Sequence, residues 1–261
     1  MSRVKKTALN FRGDGLSCWQ GEASMLITSK QNFITTIRIA APLAVAAVAT
    51  MGLEVVDTVM MGWLGREQLA GGAVVNAIYL FLAATMAGMM TSVGVSVANA
   101  VGAGDRNRIK TIIDQGLIFV MLVSIPIVTL LWHADDVARF FGQPESVLVY
   151  VRDYARYFAF GMPSVLLFFV SRETLAGIAK PRFIMIVSLL AIPLNFLGNY
   201  CLMYGKYGFP EMGVAGIGLS TNLVGWLMFF TLFFVIKGQS ILKGTGVYSL
   251  AIRFNKDEFL G

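Results

Sequence analysis

Six stretches of roughly 20 apolar residues, the length at which an α-helix crosses a hydrocarbon core, recur near 37–61, 72–100, 113–132, 154–178, 183–204 and 213–237. Short polar breaks with turn residues separate them: GWLG from Gly62, GAGD from Gly102, GQP from Gly142, KPR from Lys180 and KYGFP from Lys206. Inside a bilayer each segment must satisfy its own backbone hydrogen bonds, so this pattern predicts an all-α, polytopic membrane protein: a bundle of six transmembrane helices in antiparallel sequence. Composition agrees. Hydrophobic residues make up 56% of the chain, charged residues 14%, and mean hydropathy is +0.70, against about 25% charge in an ordinary soluble domain.

The membrane lobe is expected over 33–237, preceded by a polar, disordered lead over 1–32 and followed by a tail over 238–261. The lead lacks the basic start, short apolar core and small-residue cleavage site of a secretory signal. A net charge of +6 does not point to nucleic acid, because the basic residues sit in short groups between apolar runs. Basic loops stay in the cytoplasm. Arg3, Lys5, Lys6, Arg12 and Lys30 fall in the lead; Arg106, Arg108 and Lys110 in the second loop; Arg172, Lys180 and Arg182 around the fourth; Lys237, Lys243, Arg253 and Lys256 at the end. The alternate loops hold only Arg66, Arg139, Arg152 and Lys206. Both termini are therefore expected in the cytoplasm.

The stretch LEVVDTVMMGWLG from Leu53 carries two acids, Glu54 and Asp57, in the outer half of the first run. At i and i+3, with Thr50 four residues before Glu54, they share one helix face. An ionised carboxylate facing lipid is costly, so such acids turn toward a bundle interior or a watery cavity and serve ions or protons. Two carboxylates one turn apart, withdrawn from water, suit the uptake and release of H⁺ or Na⁺. Asp57 and Glu54 are thus the candidate cation-coupling residues. The plainer alternative is an interfacial acid reached by water.

Weaker signals surround them. In the fifth run Ser188, Asn195 and Asn199 share a face beside Pro193 and Gly198; buried amides serve as interhelical glue at least as readily as they line a substrate site. Asn76, Tyr79, Met86 and Met90 fall on one side of the second run. Soft thioethers and aromatic rings suit a cavity for apolar cations, although a plain packing or lipid-facing stripe explains it more readily. The candidate substrate cavity is Thr50, Asn76, Tyr79, Met86, Asn195 and Asn199. The sixth run opens GVAGIGLSTN from Gly213, read as close helix packing. His133 stands alone at the end of a run, and Cys18 and Cys201 lie far apart, so no metal site or disulfide framework is indicated. Neither GxxxxGK[ST] nor GxGxxG occurs. The chain is read as a transporter, not an enzyme, without a cofactor and drawing on an ion gradient.

Several segments carry a family resemblance: APLAVAAVATMGLEVVDTVMMGWLG from Ala41, LAGGAVVNAIYLF from Leu69, GAGDRNRIKTIIDQG from Gly102, AKPRF from Ala179 and PLNFLGNYCLMYGKYGFPEMGVAGIGLST from Pro193. In order and spacing they resemble the multidrug and toxic compound extrusion family, and within it the NorM-like bacterial branch. The resemblance implies an antiporter of the bacterial inner membrane that exports cationic, amphipathic compounds in exchange for Na⁺ or H⁺, built as two six-helix lobes in a V that rock in alternating access. The family's VDT acid corresponds to Asp57. Glu54 matches no recognised family site. Where a hydrogen-ion-coupled branch places an acid, this chain has Asn199, which leans toward Na⁺. Only the N-terminal lobe matches, so a C-terminal lobe or a second chain is expected as partner, beside the bilayer and the organic cations, with no nucleic acid.

Two alternatives stay open. One is a non-transporting membrane scaffold or inactive fragment. The other is a lipid-linked oligosaccharide flippase of the same superfamily, whose cavity would be richer in Arg and Lys to meet pyrophosphate.

Overall fold

A computed structural model describes the backbone of residues 14–242 and the side chains from residue 33 onward. Its helices are α1 (Asp14–Leu64), α2 (Arg66–Gly102), α3 (Arg106–Trp132), α4 (Ala134–Phe140), α5 (Glu145–Gly177), α6 (Pro181–Tyr204) and α7 (Val214–Gly238), with single 3₁₀ turns at Lys206–Gly208 and Ser240–Leu242. No strand occurs among the described residues. Six segments are long and apolar enough to cross a membrane: Phe33–Leu64, α2, α3, α5, α6 and α7. The protein is a multi-pass, all-helical membrane protein, as its apolar runs predict.

The helices overrun those runs. α2 starts at Arg66 rather than near 72, α3 at Arg106 rather than near 113, and α5 at Glu145 rather than near 154. Hydrophobicity reports where lipid is, whereas a helix continues into water for as long as it is capped and packed. Asp105 caps α3, its Oδ1 accepting the Arg108 N–H at 3.0 Å. The early turns of α5 bury Val147, Leu148 and Val151. The lead expected to be disordered is helical from Asp14 onward; residues 1–13, and 243–261 of the expected tail, lie outside the described residues.

The chain divides into two units, Met1–Ala41 and Pro42–Gly261. The second contains everything described below. Within it α5 is the central helix, packing against α2, α3, α4, α6 and α7 and burying residues around most of its circumference, from Val147 to Leu175. Helices at the periphery bury one stripe only. α7 exposes Leu223, Leu227, Phe230 and Phe234, and α6 exposes Ile186, Leu190 and Leu197. Large aliphatic and aromatic side chains on the outside of a packed bundle are what lipid, not water, permits.

α6 and α7 pack with little between their backbones. A methyl group placed at Gly216 would fall 2.7 Å from the Leu202 carbonyl, and one at Gly198 would fall 2.3 Å from Ser220 Oγ. The reading of the GVAGIGLSTN segment as a close-contact face therefore holds for Gly216, and for Gly218 against Tyr154 of α5, but not for Gly213, where a methyl would meet nothing within 4 Å. The turn between the two helices begins at Gly205, whose φ of 63° closes α6 in the left-handed conformation.

Beyond the opposite end of α3, the short α4 is pinned to α5. Asp135 is buried, and its Oδ2 accepts from Arg152 Nε at 2.8 Å. Burial pushes the Asp135 carboxyl up, but the Arg152 hydrogen bond, a backbone N–H and the charges of Arg152 and Arg156 outweigh it and hold the group below the usual carboxylate range. Arg139 ties α4 to the start of α5 through Glu145 at 2.9 Å. His133, at the α3–α4 junction, is exposed and faces Asp136.

Candidate functional site

Three spanning helices bring a polar cluster to one depth. Asp57 lies seven residues before the end of α1, Thr221 seven residues after the start of α7 and Asn199 five residues before the end of α6. At about 1.5 Å per residue, all three sit about 7–11 Å inside the same end of the bundle. The close α6–α7 approach at Gly198 and Gly216 lets side chains from the two helices meet over α1.

Asp57 is 6% exposed. Asn199 Nδ2 donates to its Oδ1 at 2.6 Å, and Thr221 Oγ1 donates to its Oδ2 at 2.8 Å. A second tier supports the first: Asn195 Nδ2 donates to Thr221 Oγ1 at 3.2 Å, and Asn199 Nδ2 also reaches Asn195 Oδ1 at 3.3 Å. Ser220 Oγ donates to the Asn195 backbone carbonyl at 3.3 Å, near the Pro193 interruption of α6. Neutral donors alone therefore compensate the carboxylate; among the described residues no Lys or Arg forms a salt bridge with it. The buried Asn199 Oδ1 has no hydrogen-bond partner, so one more oxygen beside the carboxylate is open to a cation or a donor.

The cluster offers oxygen donors of the kind that suit a hard monovalent cation or a proton. Every polar side-chain atom available to a ligand is an oxygen, or an amide that presents one after rotation. One carboxylate among neutral oxygens balances a single positive charge. Among the described residues no group of three or more His, Cys, Asp or Glu side chains is placed to hold a metal ion.

The other sequence candidates fall in different places. Asn195 and Asn199, placed in a substrate cavity by sequence, sit in the hydrogen-bonded cluster around Asp57. Glu54 is half-buried on the same helix face, without a hydrogen bond to the cluster. Thr50 Oγ1 donates to the Ala47 carbonyl of its own helix at 2.8 Å. Tyr79 packs edge-on against Phe158, with ring centroids 5.2 Å apart, and Asn76 is partly buried nearby on α2. Met86 is buried. It belongs to the packed core together with Met90, because this face of α2 turns into the bundle, where unbranched thioethers fill irregular space.

Thr221 and Ser220 went unrecognised in the sequence because the glycines around them announced packing. The visible signal was the run Ser220-Thr221-Asn222, three polar residues in succession in a helix otherwise apolar over most of its length.

A six-helix membrane lobe with a buried carboxylate held by uncharged donors defines an all-helical integral membrane protein. The comparisons with known proteins give its family: residues 42–201 match MatE, and the chain belongs to that family. It is 35% identical over 196 residues to the "Probable multidrug resistance protein NorM" of Synechocystis, covering 75% of this chain and 42% of that protein. It is 37% identical over 207 residues to the protein of the same name in Synechococcus, covering 79% and 45%. To the "Multidrug resistance protein NorM" of Vibrio cholerae it is 31% identical over 219 residues, covering 84% and 48%. The chain thus spans a little under half the length of these relatives. Among solved structures, an outward-facing multidrug resistance MATE transporter of the MOP superfamily superposes with a TM-score of 0.68 at 21% identity, over 78% of this chain and 46% of that one. A MATE protein in its straight conformation gives 0.70 at 20% identity, over the same shares. The fold is that of one lobe of these transporters.

Proposed function

We propose that the chain forms the N-terminal lobe of a multidrug efflux antiporter of the bacterial inner membrane, which exchanges cationic, amphipathic compounds for Na⁺ or H⁺ through Asp57. The observation that carries this reading is the Asp57–Asn199–Thr221 cluster, buried where three spanning helices converge and compensated by neutral donors only. A fixed counter-cation such as Arg would make the carboxylate a structural element; neutral donors leave its charge to be balanced by an exchangeable ion. Asn199 in place of a second acid, and the unpartnered Asn199 Oδ1, favour Na⁺, which is held by several oxygens at once. Glu54 adds a second negative charge one turn away.

Orientation follows from charge. Arg106, Arg108, Lys110, Lys180, Arg182 and Lys237 lie at the end of the bundle opposite the cluster, which supports cytoplasmic termini and an outward-lying Asp57. Alternating access needs a surface to rock against, and the relatives' greater length supports a second lobe as partner, in the same polypeptide or another chain.

The test is dye export by everted vesicles from cells producing this chain together with its second lobe. Asp57→Asn is expected to abolish gradient-driven ethidium movement, at least about tenfold, while membrane insertion stays normal. Undiminished transport by the variant would refute the reading.

A further inference from the structure

Arg156 lies inside the fourth apolar run, on α5 at the α4 end of the bundle, and a cation placed in a spanning helix calls for a partner. Its guanidinium stands over the Trp132 ring, 5.2 Å from the centroid, and Trp132 meets Phe160 edge-on at 5.5 Å. Trp132 and Phe160 are exposed on the outside of the bundle. Ile125, seven residues before Trp132 on the same face of α3, is exposed too and carries the apolar surface deeper.

The acid nearest in space is already satisfied: Arg152, one turn before Arg156, donates to the buried Asp135 at 2.8 Å. Among the described residues Arg156 itself forms no salt bridge. Asp153, three residues before it, is exposed and equally unbridged. A guanidinium stacked on a ring keeps the donors along its edge free, and an indole N–H at a membrane boundary takes a polar partner. Asp153, Arg156 and Phe160 fall at i, i+3 and i+7 of α5, on one helix face. Toward the bundle centre they descend by about 4.5 Å and then about 6 Å, at about 1.5 Å per residue. Acid, base and ring thus follow one another from water into lipid.

We infer that Asp153, Arg156, Trp132 and Phe160 form a seat for one phospholipid with an ethanolamine headgroup, in the leaflet at the α4 end of the bundle. That is the outer leaflet in the orientation proposed above. Such a lipid presents the complementary order: an ammonium two methylenes from a phosphodiester, then acyl chains. The phosphate accepts from the Arg156 fork and the Trp132 N–H, the ammonium donates to Asp153, and an acyl chain lies along Phe160 and Ile125. Phosphatidylglycerol brings no cation to Asp153, and the quaternary ammonium of phosphatidylcholine has no N–H to donate. The seat uses none of the residues around Asp57 and stands apart from the antiport reading.

Trp132 supplies the reporter. With Trp19→Phe, Trp63→Phe and Trp226→Phe in place, its fluorescence is followed in phosphatidylcholine nanodiscs that carry a minor share of one brominated lipid. Bromine on an acyl chain quenches an indole that it touches, so quenching reads which lipid occupies the seat. Brominated phosphatidylethanolamine is expected to be held about fivefold over brominated phosphatidylcholine or phosphatidylglycerol, the upper range for one exposed ion pair. Asp153→Asn and Arg156→Gln, both at exposed positions, are each expected to remove that preference, whereas Arg156→Lys, which keeps the charge and loses the fork, retains part of it. Native mass spectrometry of the unaltered chain with the three lipids gives the same order without the tryptophan replacements. Equal binding of the three lipids, a preference for phosphatidylglycerol, or an ethanolamine preference that survives Asp153→Asn overturns the inference. Relief of the quenching by added inorganic phosphate would mark a site for a free anion and would overturn it as well.

Discussion

The hydrogen bond from Thr221 Oγ1 to Asp57 Oδ2, 2.8 Å long between α7 and α1, sets a measurable coupling. Interhelical polar contacts in membrane proteins average about 0.6 kcal/mol and reach about 1.7 kcal/mol in double-mutant cycles. A bond to an ionised acceptor is roughly twice as strong as a neutral one. With short geometry and a nearly inaccessible acceptor, this bond belongs at the upper end, about 1.5 kcal/mol. Thr221→Val keeps the side chain's shape and removes the hydroxyl. It also strips Asn195 Nδ2 of its acceptor at 3.2 Å, so the single substitution is expected to cost about 2 kcal/mol. Combining it with Asp57→Leu isolates the pair term. Reversible unfolding in mixed micelles with rising SDS, applied to wild type, both single variants and the double variant, measures it. A coupling below about 0.5 kcal/mol would show that α7 does not hold Asp57 through this bond, and the cluster as an ion site would lose its third helix.

Two further perturbations probe the frame around the site. Gly216→Ala puts a methyl 2.7 Å from the Leu202 backbone, where no side chain can yield; it is expected to cost about 1–3 kcal/mol in the same assay and, by spreading α6 from α7, to weaken the Thr221–Asp57 coupling, whereas unchanged stability would contradict the close approach. Arg152→Gln removes the partner that holds Asp135 below the usual carboxylate range. Because the folded-state value is depressed, the stabilisation is present above the ordinary Asp value of about 3.9 and fades as pH falls through the folded value. The melting-temperature gap between wild type and variant is therefore expected at pH 7 and closes below about pH 4, and a gap that persists in acid would refute the ion-pair account.

How much of this was legible depends on which physical signal each feature writes into the chain. The spanning helices were legible because lipid demands a long apolar run, and the six runs match the six spanning helices among the described residues. Their ends were not, because capping by Asp105 and packing by Val147 and Leu148 extend helices past the point where hydrophobicity falls. The short α4 was missed for the same reason: ADDVARF has neither the length nor the apolarity of a span, and it is held by Asp135 and Arg152, seventeen residues apart in sequence. Asp57 was legible because an acid in an apolar run is rare. Its partners were legible only as polar residues of unknown use, since bonds between residues 142 and 164 positions apart leave no local pattern.

The separation of Glu54 from Asp57 shows where helical periodicity stops being informative. Three residues advance a helix by about 300°, so the two side chains leave it about 60° apart. That is close enough to be read as one stripe and far enough to enter different environments. Asp57 turns toward α6 and α7, where amide and hydroxyl donors meet it; Glu54 is half-buried, and among the described residues nothing donates to its carboxylate. A carboxylate already satisfied by neutral donors exchanges a small ion with little rearrangement, because its donors are polarised toward it whether or not the ion is present. One helix face thereby offers two acids in different settings, one held by neutral donors and one with none among the described residues.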